Sequence, residues 1–211
     1  MTRFVLLALS SILFATSAFA IDGQVLINQS TVMAAGGFPY GITQPVNYKL
    51  TGNLTMTTTV SGNVSGIDVA IGIASSQVSL DPNGFSVFIV NNFAFPGHDY
   101  YAIAELGMFT GVAVRNGNIV ATSATYLASV KAHGIYLRSS RTNRIENVTL
   151  TFDLNTSTTL GFEVGPGSTV REVINTAAFS FVGCPSVVVE SVGIKNIGAF
   201  CQSSLVTDSD L

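Results

Sequence analysis

Charge is what this sequence has least of. Asp, Glu, Lys and Arg together make up 10% of its 211 residues, against about 25% in ordinary globular proteins. With nine Lys/Arg against twelve Asp/Glu, no basic stripe exists to neutralise phosphates, which argues against a nucleic-acid partner. The Glu, Lys and Arg that exposed helices use are also scarce. Tryptophan is absent and there are only two cysteines, Cys184 and Cys201. They lie 17 positions apart with no C-x-x-C, and neither His98 nor His133 stands at zinc-ligand spacing, so no metal site is expected. Long apolar runs are missing beyond the N-terminus, so no membrane-spanning helix is expected there. No G-x-S-x-G, H-E-x-x-H, P-loop or G-x-G-x-x-G is present, which removes the motif-borne hydrolases, zinc proteases and nucleotide binders.

The first twenty residues, MTRFVLLALSSILFATSAFA, carry one early cation, Arg3, then an apolar run. Ala18 and Ala20 occupy the −3 and −1 positions of a cut before Ile21. This predicts a secretory signal peptide over 1–20 and an exported protein, extracellular or periplasmic, over 21–211.

Ser, Thr, Asn and Gly fill the places that charge leaves, and apolar residues alternate with them at period two. LTMTTTV sets Leu54, Met56, Thr58 and Val60 on one face; IDVAIGIA aligns Ile67, Val69, Ile71 and Ile73; VTLTFDL aligns Val148, Leu150, Phe152 and Leu154. Turn residues interrupt these runs at Asn83-Gly84, Asn116-Gly117 and Gly165-Pro166-Gly167. The pattern predicts an all-β chain, with at most one short helix near 25–35. Apolar pairs recur at Ile145/Val148, Val170/Val173 and Val189/Val192, with Ile119 upstream. A recurrence near 22 residues predicts one coil of a parallel β-helix per unit, about eight coils in all. The Asn-Gly pairs would equally serve tight hairpins, so a β-sandwich stays open as the alternative.

Longer stretches carry a resemblance. IDGQVLINQSTVMAAGGFPYGITQPVNYKLTGNLT (21–55), VSLDPNGFSV (78–87), VAVRNGNIV (112–120) and GIYLRSSRTNRIENVTL (134–150) resemble, in order, segments of exported bacterial right-handed parallel β-helix proteins with the pectin-lyase-like fold. So do GSTVREVINTA (167–177) and CPSVVVESVGIKN (184–196). The resemblance implies a single right-handed parallel β-helix over 21–211, in a group whose members mostly have no assigned reaction. Two departures stand out. Pro82 replaces a strand residue, where a bend or edge is expected because proline has no N–H for the ladder. Residues 88–109 do not match a coil and are read as an insertion.

In an exported chain the two cysteines, one short coil apart, are expected to form a disulfide that staples the last coils. The cluster Lys131, His133, Arg138, Arg141, Arg144 and Glu146 suggests a groove for an acidic polysaccharide. Arg138, Arg141 and Glu146 are its catalytic candidates, an arginine serving as base for β-elimination, and calcium would be needed only in that lyase case. A solvated loop at a coil edge explains the same residues. Phe95, Tyr100 and Tyr101, with Phe93 and His98, could stack on sugar rings or equally close over the core. The leading expectation is a non-catalytic surface or polysaccharide-binding module that needs no cofactor. The alternatives are a lyase or hydrolase, and a structural or adhesive module that assembles through an exposed coil edge.

Overall fold

In the computed structural model, the residues described are 23–58, 67–91, 99–123, 127–153, 156–177, 179–182, 187–189, 191 and 205–207. The expected signal peptide, Phe93, Phe95, His98, Cys184 and Cys201 lie outside them. Strands dominate. β1 (Gln24–Ile27), β3 (Asn47–Leu50), β6 (Ser79–Asp81), β9 (Ala113–Ser123), β11 (Arg144–Asp153), β13 (Thr169–Asn175), β15 (Val187–Val189) and β16 (Leu205–Thr207) follow one another in chain order across the first sheet. β4 (Leu54–Thr58) and β7 (Ser86–Asn91) join it beside the second half of β9. The second sheet contains β2 (Tyr40–Ile42), β5 (Ile67–Ile73), β8 (Asp99–Glu105), β10 (Leu127–Leu137), β12 (Thr156–Val164) and β14 (Phe179–Val182).

Each strand pairs parallel with its equivalents one turn earlier and later. This is a parallel β-helix, and the sandwich alternative falls, because hairpins would make antiparallel neighbours. The one α-helix among the described residues, α1 (Gln29–Ala34), is capped by Asn28, whose side chain accepts from the Thr31 N–H at 2.9 Å. It drops fully buried Val32 into the core.

Apolar residues stack inside in columns. Leu54, Val87, Ile119 and Leu150 form one, and Ile71, Ile103, Ile135 and Phe162 another; all eight are fully or almost fully buried. Burial of each such side chain contributes roughly 1.5–3 kcal/mol. The alternation is imperfect in β5. Ala70 and Ile71 are both in the core, so Val69 points outward and Ile67 is 66% exposed, contrary to the single apolar face expected. The same break recurs at Ala102 and Ile103 in β8.

Two corners are stacked along the coils in left-handed backbone conformation. The first, between the sheets, holds Gln77, Gly111, Thr142 and Gly167. The second, within the first sheet, holds Asn83, Asn116, Asn147 and Glu172. The Asn-Gly pairs are therefore corners of coils. Pro82 bends the chain as expected and packs so tightly that a Cβ on Gly117 would lie 2.2 Å from its ring.

Register corrects three expectations. Residues 88–91 and 99–105, read as part of an insertion, are strand residues paired on both sides. Val188, and not Val189, stands beside Val170. Ile145 pairs with Val114, while Ile119 pairs with Leu150. The coil is thus no constant 22 residues. It grows from 23 (Val25 to Tyr48) to 34 (Leu80 to Val114) and shrinks to 18 (Val170 to Val188).

Candidate functional site

Because strand residues alternate in and out, each buried column has outward neighbours stacked about 4.8 Å apart. On the first sheet past the second corner these are Ser86, Asn118, Thr149 and Ile174; then Thr55, Phe88, Val120 and Thr151; then Thr57, Val90, Thr122 and Asp153. One carboxylate, Asp153, is the only charge among the twelve. The rest are hydroxyls, one amide, aliphatic groups and one aromatic ring.

A recess of about 420 Å³ opens where this face meets the second corner, lined by Asn83, Gly84, Asn116, Gly117, Asn118, Asn147 and Thr149. Its amides are tied to one another across coils. Asn147 Nδ2 donates to Asn116 Oδ1 at 3.1 Å, Asn116 Nδ2 to Asp81 Oδ1 at 3.4 Å, and Asn118 Nδ2 to the Gly84 carbonyl at 3.2 Å. Asp81 also accepts from the Asn83 N–H at 2.8 Å. Asparagine suits this place twice: it tolerates a positive φ, and its amide bridges to the next coil.

Just before that corner runs a column of alternating charge: Lys49, Asp81, Arg115, Glu146, Arg171. Each member lies beside one of opposite sign. Glu146, a catalytic candidate by sequence, is a rung between Arg115 and Arg171.

The basic cluster read from residues 131–146 is dispersed by the fold. Lys131 and His133 belong to β10 on the second sheet, Arg141 bridges to Thr110 at the first corner, and Arg144 opens β11 on the first sheet. Arg138 is exposed, and its Nε donates to Glu163 at 3.3 Å. A guanidinium committed to a carboxylate is a donor and not a proton acceptor. These residues form no common groove.

The aromatic candidates separate as well. Tyr100 is 1% exposed and belongs to the interior, which removes it as a sugar platform. Tyr101, 8% exposed, faces outward from the second sheet and stacks on His133 with centroids 4.2 Å apart and planes 16° apart. Tyr136 meets both rings edge-on, at 5.2 and 5.9 Å. Burial, together with the carboxylates of Asp99 and Glu163, pushes the Tyr101 hydroxyl well above its usual pKa; Tyr136 is raised by burial and by Glu163, with Arg138 acting the other way.

The chain matches no protein-family model, no curated protein and no solved structure.

Sequence reading passed over Glu105, whose carboxylate is buried. It accepts from the Ser140 N–H at 2.9 Å and also from the Ser139 N–H and the Ser140 hydroxyl. It thereby pins the turn that carries Arg138. Three carboxylates, Asp99, Glu105 and Glu163, surround the two outer tyrosines. Among the described residues no group of three or more His, Cys, Asp or Glu is placed to hold a metal ion, and no helix is long and apolar enough to cross a membrane.

Proposed function

We propose that this protein is an exported, non-catalytic polysaccharide-binding module whose ligand lies along the outer face of β4, β7, β9 and β11. The observation that carries this reading is the near absence of charge on that face, combined with the amide-lined recess at its edge. A sugar ring offers C–H faces and a rim of hydroxyls. Phe88, Val90 and Val120 match the first; Thr55, Thr122, Thr149, Thr151 and the corner asparagines match the second. Covering hydroxyls and amides against other hydroxyls costs far less than stripping water from charges, so the face favours a neutral chain over an acidic one. The strand spacing repeats similar groups along the helix axis, which suits a polymer.

The second reading is a carbohydrate-active enzyme, hydrolase or lyase. What favours it is the gathering of Asp99, Glu105 and Glu163 around Tyr101 and Tyr136 on one lateral face. It ranks lower because Glu105 is occupied by the 139–140 turn and Glu163 by Arg138.

A panel of neutral and acidic polysaccharides, scored for binding, reducing ends and unsaturated products with and without calcium, tests both. Binding of a neutral polymer without turnover, weakened at least about tenfold by the pair Thr149→Glu and Thr151→Glu, is the expected result. Turnover that Glu163→Gln or Arg138→Ala removes would establish the enzyme instead.

A further inference from the structure

The first corner has its own recess, of about 370 Å³, lined by Gln77, Gly111, Val112, Ala113, Thr142 and Arg144. It lies at the far end of the short strand segment that leads to the amide recess, three residues upstream along β11. We propose that this corner binds one small oxyanion, a sulfate, phosphate or carboxylate group, between the Arg144 guanidinium and the Gln77 amide.

Arg144 is exposed and stands in a column with Ala113 and Thr169, neither of them acidic. The nearest acid on its own strand, Glu146, is flanked in register by Arg115 and Arg171. Among the described residues Arg144 makes no ion pair, although Arg138 and Arg171 each have one. The Gln77 amide lies directly over Gly111, where a Cβ would come within 2.6 Å of Nε2. Glycine at this point therefore leaves room for the amide to form the recess wall. No acceptor for that amide is found among the described residues, so a cation and a neutral N–H₂ donor share one concave site. The neighbouring backbone donors are already used: Gly111 N–H on the Arg141 carbonyl at 3.0 Å, Ala113 N–H on Val78 at 2.9 Å and Thr142 N–H on Pro166 at 3.0 Å. The side chains alone remain to hold an anion, and a guanidinium fork matches paired anion oxygens.

Gln77 (φ 57°) and Thr142 (φ 55°) hold left-handed conformations that a β-branched residue such as threonine rarely adopts. Glycine fills the equivalent places in two other coils, at Gly111 and Gly167. Side chains are thus kept at this corner where glycine would relieve strain.

The site does not rest on the polysaccharide reading, since it concerns a charged group and a different recess. The test is a titration of the purified protein with sodium sulfate, sodium phosphate and sodium glucuronate at constant ionic strength, followed by amide NMR. Saturable shifts confined to Gly111, Ala113 and Thr142 are expected. Arg144→Gln should weaken binding by about tenfold or more, Arg144→Lys should retain part of it, and Gln77→Gly should weaken it while leaving the fold intact. Saturation by sulfate or phosphate would identify a free or esterified inorganic anion; saturation by glucuronate alone would identify a sugar acid. Failure of all three to saturate would overturn the proposal. So would equal weakening by Arg141→Gln, which changes an exposed arginine outside the recess lining, because binding would then be diffuse attraction.

Discussion

The outer surface of the second sheet and that of the first are built from parallel strands of the same coils, yet they use their side chains in opposite ways. On the second sheet, Tyr101, His133 and Tyr136 pack on each other, Glu163 meets Arg138, and Glu105 closes a turn. Each of these groups has a partner within the protein. On the first sheet, past the second corner, the outward groups are uncharged apart from Asp153, and the asparagines that bridge the coils also line a concave recess. Residues of strongly chemical type mark the region that is internally satisfied. The plainer residues mark the region that is open.

That contrast can be broken by experiment, since it assigns stability to one face and binding to the other. Tyr101→Ala should be the most damaging, costing about 3–5 kcal/mol in a urea melt if its ring, stacked on His133 and edge-on to Tyr136, behaves as packed core. Glu105→Ala should cost about 1–3 kcal/mol by leaving the Ser139 and Ser140 donors without their acceptor; a loss below the error of the melt would mean that water replaces it. The raised tyrosines predict an alkaline limb. Tyr40, Tyr48, Tyr101 and Tyr136 all ionise less readily in the folded protein than their ordinary value of 10. Their stabilising effect is complete below pH 10 and is lost as the pH rises above it, where the unfolded chain releases protons first. Stability should fall from about pH 10 upward, and less steeply in Tyr101→Phe. Arg138→Ala should cost about 1 kcal/mol, because Arg138 is exposed but its loss takes a cation from the buried carboxylate of Glu163. Smallest of all, Thr149→Ala and Thr151→Ala should change stability by no more than about 0.5 kcal/mol while reducing polysaccharide binding. A large stability loss in those two would collapse the distinction between the faces.

Much of the fold was legible in the sequence. Period-two alternation and the recurring apolar pairs implied a parallel solenoid, and Ile145/Val148 and Val170/Val173 do stack as expected. Phase was lost where the chain carries no information about it. In Val187-Val188-Val189 every residue is the same, and only pairing distinguishes which one faces Val170. The uneven coil length hid the partner of Ile145. The candidate site failed for a different reason. Between Lys131 and Glu146 the chain leaves one sheet and turns a corner onto another, so neighbours in sequence end on different sides. The charge column was hidden by the opposite effect, its members being 25 to 34 residues apart. A usable signal was present all the same. Leu80-Asp81-Pro82-Asn83, Val114-Arg115-Asn116, Ile145-Glu146-Asn147 and Val170-Arg171-Glu172 each set a buried aliphatic, a charge and a corner residue in nearly the same order.

The alternating column of Lys49, Asp81, Arg115, Glu146 and Arg171 gives the molecule a parity. Duplicating or deleting any one interior coil would set two like charges side by side, which is destabilising in a sheet. Duplicating two consecutive coils would preserve the alternation. A β-helix with this column is therefore free to change length by even steps and is penalised for odd ones.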